Sequence, residues 1–253
     1  VNCRSGKDLK EGKTMSLRRI IGKETLYQDK KAEVVFHKQS LEEWLRITEE
    51  GYSNLEKDRY YFEILKNSLE LKKSDYVLDV GCSAGVFEII FRDYSFVGID
   101  ISPESIAAAK KIKEKYKLKS EFYVGDMESL KFKDETFDKI LCFAALHHLP
   151  KRSLENALSE CYRVLKPGGI MVSVEPNIIN PIALWEHLHE KLSKNEFPVS
   201  PFALKDNFNR RFKTVYLRTI KYFPKRYDLL ETVVSKTPII NLFGHKILIK
   251  AVK

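Results

Sequence analysis

Three carboxylates and two imidazoles carry the chemistry that spacing alone makes legible. Val77-Leu78-Asp79-Val80 runs into Gly81-Cys82-Ser83-Ala84-Gly85, a glycine-containing turn, and a stretch of helical character follows. Glycines at such a turn let the backbone come close to a ligand. A helix opening there offers free N–H groups and a positive dipole end to an anionic group. Asp100 closes the next apolar run, 19 residues after Gly81. A carboxylate at that place can accept both hydroxyls of a ribose, as the acid about 20 residues on does in dinucleotide folds. Asp126 closes a third apolar run. One aspartate at a strand end is an ordinary turn residue, whereas three at successive strand ends facing one crevice describe a ligand site. His147 and His148 follow a fourth run, and a neutral imidazole near pH 7 can take up a proton.

The elements that must hold these groups are short apolar runs alternating with amphipathic stretches. Strands are expected at Tyr76–Val80, Phe96–Ile99, Phe122–Val124, Lys139–Phe143 and Ile170–Val174, with helices at Val86–Arg92, Pro103–Tyr116 and Leu154–Leu165. Strands separated by helices imply βαβ units and a parallel sheet covered on both faces. Ser102-Pro103 is a helix start, with an N-cap oxygen and then a residue whose φ is preset. Lys166-Pro167-Gly168-Gly169 reads as a helix stop and turn. After Glu175 the alternation ends among Pro176, Pro181, Pro198 and Pro201. Helices are expected around Ile182–Leu192 and Ala203–Phe212, and strands at Val215–Tyr222 and Lys246–Val252.

The turn itself admits several readings. A dinucleotide fingerprint needs glycine at its third and sixth positions, where Ser83 and Val86 stand. A nucleophile elbow, Gly-x-Ser-x-Gly, fits Gly81 to Gly85 literally, but no oxyanion segment of the His-Gly-Gly type lies upstream. A triad histidine could only be His245 by assumption. A tight turn with no ligand also stays open. The stretch resembles the first motif of class I S-adenosylmethionine-dependent methyltransferases, with Ser83 where a third glycine is common. Residues 137–150, with Ala144-Ala145-Leu146-His147-His148-Leu149-Pro150, and Arg163 to Gly169 are similar to the small-molecule, quinone-biosynthesis-like branch of that family.

The resemblance implies a doubly wound, mostly parallel seven-stranded α/β sheet with an antiparallel last strand and a helical cap. It implies S-adenosyl-L-methionine as cofactor, leaving S-adenosyl-L-homocysteine as product. Asp79 would order the turn and reach the cofactor's amino group, usually through water. Gly81, Cys82, Ser83 and Gly85 would cradle its methionine part. Asp100, with Ile101 behind it, would take the ribose, and Asp126 the adenine amino group. Met127 would pack on the adenine face, and Phe143 would complete the pocket. Methyl transfer is a displacement that mainly requires alignment, and a base is needed only where the acceptor must lose a proton. His147 and His148 are the candidates, and Glu175 is a second acceptor contact.

The acceptor is harder to read. No Asn/Asp-Pro-Pro-Tyr/Phe follows the fourth strand, where Cys142-Phe143-Ala144-Ala145 stands, so the amino-methylating pattern for adenine and cytosine is absent. Trp185, Phe197, Phe202, Phe208, Tyr222 and Phe223 could line an apolar pocket or form the core of a cap. A small, apolar or lipid-like molecule methylated on oxygen or carbon is the leading expectation. RNA is an alternative, because residues 191–253 hold 14 Lys/Arg against 4 Asp/Glu in a chain of net charge +9. Arg210, Arg211, Lys213 and Arg218 would then meet phosphates. Ile239 to Phe243 beside Lys225, Arg226 and Lys236 would suit an acidic membrane surface. A non-catalytic cofactor-binding scaffold is a third class, disfavoured by the intact set of acids.

Hydrophobic residues make up 43% and charged residues 31%, a globular balance. No apolar run approaches the ~20 residues that span a bilayer. Cys3, Cys82, Cys142 and Cys161 form no Cys-x-x-Cys pair, which predicts no metal site and a reducing, cytoplasmic setting. Five segments are expected: a basic arm over 1–35, helices covering the cofactor site over 36–72, the cofactor-binding core over 73–177, a cap segment over 178–214, and C-terminal strands of the same sheet over 215–253.

Overall fold

The computed structural model describes residues 60–181, 200–220 and 243–253, together with helical positions at 42, 45, 46, 48–50, and 184. The expected helix at Ile182–Leu192, the apolar stretch from Leu229 and the basic arm lie outside the described residues, as do Trp185, Phe197, Tyr222 and Phe223.

The described elements run α1 (Tyr60–Leu69), β1 (Tyr76–Val80), α2 (Val86–Ile90), β2 (Ser95–Asp100), α3 (Pro103–Tyr116) and β3 (Glu121–Val124). Then come β4 (Phe137–Phe143), a 3-10 turn (Leu146–His148), α4 (Lys151–Val164), β5 (Leu165–Pro176), α5 (Pro201–Asn209), β6 (Thr214–Ile220) and β7 (Lys246–Val252). They form one seven-stranded sheet in the order β3-β2-β1-β4-β5-β7-β6. β1 pairs in parallel with both β2 and β4, and β7 lies antiparallel between β5 and β6. This is the α/β architecture expected from the sequence, antiparallel last strand included.

The sheet is parallel at its centre because β1 and β4 are apolar on both faces. Leu78 and Ile140 pack into a layer with Leu154, Leu158 and Cys161 of α4, while Val77 and Leu141 pack into the opposite layer with Leu65 and Leu69 of α1. Leu154, Ala157, Leu158 and Cys161 fall at helical spacing on one buried stripe of α4. α3 begins as expected: the Ser105 amide donates to Ser102 Oγ at 3.1 Å, with Pro103 in the first turn. Lys117 in the left-handed region ends it.

Among the boundaries that differ from expectation, two have a clear physical reason. β5 starts at Leu165 rather than Ile170, because Leu165 pairs with Phe137 before the ladder resumes at Lys139 and Ile170. Gly168, at φ 73°, absorbs that shift, and Lys253 bonds back to the Gly168 and Gly169 backbone. The glycine pair is therefore a bulge inside a strand, and α4 passes into that strand directly. Gly85 opens α2 with φ 85°, and α2 ends at Ile90, shorter than expected, since the Tyr94 amide folds back to Phe91.

Strand order reverses direction of growth between β1 and β4. In open α/β sheets the crevice beyond the carboxyl ends of strands at such a point is where ligands bind. Asp79, Asp100, Asp126, Phe143 and Glu175 all stand at or beside those ends of β1 to β5.

Candidate functional site

The turn after β1 is fixed by its neighbour strand. The amides of Gly81 and Cys82 both donate to Ile99 O, at 2.8 and 2.9 Å. Gly81 adopts φ 76°, and a Cβ there would stand 2.6 Å from Ala145 Cβ and 3.7 Å from Met127 Cε. The turn after β1, the loop after β3 and the mouth of β4 thus converge on one glycine. Ser83 itself sits at φ 51°, a left-handed conformation that costs a non-glycine residue about 1 kcal/mol or more.

Asp100 is held by both carboxylate oxygens. The Ser83 amide donates to Oδ2 and the Ser102 amide to Oδ1, each at 2.9 Å. These bonds tie the end of β2 to the turn after β1. A carboxylate offers about four acceptor sites over its two oxygens, and the two amides set the orientation in which it faces the crevice. Asp126 is held in a similar way, with the Glu128 amide on Oδ1 at 2.9 Å. It borders an apolar cavity of about 420 Å³ beside the edge of β3, walled by Ile99, Tyr123, Leu130 and Phe132. Ile101 and Met127 are half-buried beside these acids.

Asp79 is buried, and burial first, then the Asp100 charge, pushes its carboxyl up to about 8. Cys82 turns its side chain into the core with Ile89, Ile106 and Phe122, so it offers the crevice backbone only. Burial pushes the Cys82 thiol well above its usual range. Beneath the turn lies an acid that the sequence did not single out: Glu88 of α2, fully buried, with no hydrogen-bond partner on either oxygen. Its Oε1 would stand 2.9 Å from a Cβ placed on Gly98. Burial, then the Asp79 charge, raises its carboxyl far above the carboxylate range. A glutamate on the helix after the turn reads as a solvated N-terminal charge, which is why spacing could not find it.

The mouth of β4 is organised by Glu175. This fully buried carboxylate receives the amides of Ala145, Leu146 and His147 at 3.4, 3.1 and 3.3 Å, and the Ser173 hydroxyl at 3.1 Å. His147 Nδ1 lies 2.7 Å from Oε2. A carboxylate oxygen accepts, so Nδ1–H is the donor in this contact and Nε2 is the ring nitrogen that faces away from Glu175. His147 is buried, while His148 is half-buried with its ring centroid 4.1 Å from that of His147. The His147 ring is the one whose Nδ1 meets the buried Glu175. Ala144, at φ 53°, makes the bend that starts this segment, its amide bonded to Val174 O at 2.7 Å.

Phe143 ends β4 within an aromatic group, edge-on to Tyr61 at 5.5 Å and tilted to Phe87 at 4.6 Å. Asn177, just past β5, donates to Gly244 O and accepts from the Ile179 amide, tying the segment after Glu175 to the start of β7. Leu45, from the N-terminal helical positions, packs on Ala84 of the turn and Ala108 of α3. Phe202 is exposed, whereas Phe208 is part of the main core. Arg210 bonds to Glu155 and Asp206, Arg211 to the Ser159 hydroxyl and Arg218 to the Ser68 hydroxyl. Three of the four expected phosphate contacts are thus drawn into the chain's own surface. No group of three metal-ligating side chains occurs among the described residues, and none of their helices is long and apolar enough to cross a membrane.

Residues 77–169 match the model of a methyltransferase domain. An uncharacterised protein of Methanocaldococcus jannaschii is 30% identical over 197 residues, which cover 77% of this chain and 73% of that protein. A sterol 24-C-methyltransferase of Saccharomyces cerevisiae is 39% identical over 110 residues, 42% of this chain and 28% of the yeast protein. Among solved structures, a SAM-dependent methyltransferase of Methanosarcina mazei superposes with a TM-score of 0.55 at 25% identity, covering 75% of this chain and 94% of that one.

Proposed function

Since the chain belongs to the class I S-adenosylmethionine-dependent methyltransferases, we propose that it methylates oxygen or carbon of a small, apolar or lipid-like acceptor. S-adenosylmethionine supplies an electrophilic methyl on a sulfonium. What the protein must add is alignment, charge and, for some acceptors, a place for a proton. The donor set beyond β1 and β2 fits such a cofactor. Asp100 has both oxygens oriented by backbone amides for a diol, and Asp79 and Asp100 bring acid groups to a ligand that carries positive charge.

The observation that carries the catalytic assignment is the His147–Glu175 pair. Glu175 orders the whole mouth of β4 and fixes the His147 tautomer, so that Nε2 can accept the acceptor's proton as methyl is transferred. His148, stacked on that ring, would shape the acceptor side. Asp126 and Met127 would hold the adenine, with Ile101 behind the ribose. The apolar acceptor is supported by the aromatic group of Tyr61, Phe87 and Phe143 at the end of β4. It is also supported by the partial similarity to sterol C-methyltransferases, whose aligned stretch covers less than a third of their length.

RNA is the weaker reading, because Arg210, Arg211 and Arg218 already bond within the chain. The test is methyl transfer from radiolabelled S-adenosylmethionine to separate pools of sterols, quinones, fatty acids and transcribed RNA, followed by mass analysis of the product. Label in an organic extract, lost in His147→Ala, is the expected result. Label confined to RNA would overturn the acceptor assignment while leaving the enzyme class intact.

A further inference from the structure

Glu88 is the described side chain whose placement makes least sense without a ligand. It is a fully buried acid on α2 with neither oxygen hydrogen-bonded. A buried polar group left without a partner is destabilising, and a leucine there would avoid that cost. Among the described residues, no cation acts on Glu88. From β1 it faces Asp79, from the glycine turn Cys82, and Asp100 at the end of β2 acts on Asp79 behind it. Phe122 of β3 and Cys82 of the turn share the place of Glu88 over Gly98 of β2, which has no side chain, and the apolar cluster of Cys82 and Phe122 extends to Ile106, Ala109 and Ile112 of α3 and to Leu45. The Glu88 and Asp79 carboxyls are near enough to perturb each other, and no hydrogen bond joins them in the free chain, so a bond between them would form as Asp79 ionises.

We infer that Glu88 is a positioning residue for the cofactor: it keeps its own proton and turns that O–H toward Asp79, favouring the Asp79 carboxylate that receives the cofactor's ammonium. The inference rests on the assignment of Asp79 to that ammonium. The proton balance is simple. At neutral pH Asp79, with its carboxyl raised to about 8, is largely protonated in the free protein. When the ammonium arrives, the Asp79 O–H bond breaks and its proton leaves to the buffer. Glu88 stays neutral and donates to the new anion, and no proton moves to the cofactor. Two ionised carboxylates in so dry a place would repel each other, so one neutral acid beside one anion is the arrangement that burial permits. Glu88 thereby sets the pH at which the pocket becomes receptive.

The experiment is calorimetric titration of S-adenosylmethionine into the full chain. It is run at pH 7 in two buffers of different ionisation enthalpy, then from pH 6 to pH 9 in one series. Wild type is compared with Glu88→Gln, Glu88→Leu and Asp79→Asn, and unfolding curves of each free protein establish that it is folded. Wild type is expected to release a large fraction of one proton at pH 7 and to bind more tightly as pH rises from 6 to about 7.5, above which the ligand's own α-ammonium begins to lose its proton. Glu88→Gln still donates and should keep that midpoint. Glu88→Leu should move the midpoint upward and bind at least about fivefold more weakly at pH 7, converging on wild type at high pH. Asp79→Asn should release no proton. If Glu88→Leu keeps the wild-type midpoint, or if both Glu88 variants weaken binding equally at every pH, the positioning role is overturned although Asp79 can stand. If Asp79→Asn binds as wild type and still releases a proton, the Asp79 assignment fails and the role of Glu88 fails with it.

Discussion

Two glutamates of this chain are equally buried and oppositely supplied. Glu175, at the end of β5, gathers five donors, three of them backbone amides from the segment it anchors. Glu88, under the turn after β1, has none. A buried carboxylate rich in donors is a finished structural part, and it lets β4 open into a fixed bend carrying His147. A buried acid without donors stays protonated and leaves its region electrically unsettled until something charged arrives. The β4–β5 side of the crevice is thus preorganised by the fold, whereas on the proposed reading the β1–β2 side would be completed by the cofactor. That division suits an enzyme whose cofactor binds, reacts and is exchanged while its proton-accepting group must stay aligned.

The comparison breaks first at Glu175. Glu175→Leu would strand three amides and the His147 ring proton, and should lower the unfolding free energy by about 3–5 kcal/mol. Urea denaturation would measure it, and a loss below about 1 kcal/mol would mean that Glu175 is no hub. Gly81→Ala forces a Cβ against Ala145 at a left-handed φ. It should cost about 1–3 kcal/mol in stability and weaken S-adenosylhomocysteine binding more than tenfold by displacing the β4 mouth.

On the unsettled side the effect is one of pH. The Asp79 carboxyl is raised to about 8 in the folded chain, against about 3.9 for an unfolded aspartate. The unfolded chain therefore ionises it more easily. The contribution to stability is full below about pH 4 and is lost as pH rises through about 8. Thermal unfolding of the free protein should show lower stability at pH 8.5 than at pH 6, and Asp79→Asn should reduce that difference. An unchanged difference in the variant would place its origin elsewhere. The smallest effect belongs to the surface. Arg210→Ala removes exposed ion pairs with Glu155 and Asp206 and should change stability by less than about 1 kcal/mol.

What the sequence revealed follows the range of the forces involved. β1, α3 and β7 were legible because apolar periodicity and the Ser102-Pro103 cap are local properties. The convergence of Asp79, Asp100 and Asp126 was legible because parallel strands place their ends on one edge. Lys166 to Gly169 misled, since a glycine pair signals a turn in sequence whether it closes a helix or bulges a strand. Glu175 was noticed but not as the residue that orients His147, because its partners lie 28 to 30 positions away. Glu88 was passed over altogether, because nothing local separates a buried acid from an exposed one on a five-residue helix.

On the proposed assignment, the crevice beyond β1 and β2 holds S-adenosylmethionine with Asp100 on its ribose. Calorimetric titration of S-adenosylhomocysteine into wild type and Asp100→Ala tests it most directly. Micromolar binding to wild type, weakened at least tenfold in the variant by the loss of about 1.5–3 kcal/mol of charge-assisted hydrogen bonding, is the predicted result. Equal binding to both proteins would contradict the placement of the ribose, and no binding to either would contradict the cofactor site itself.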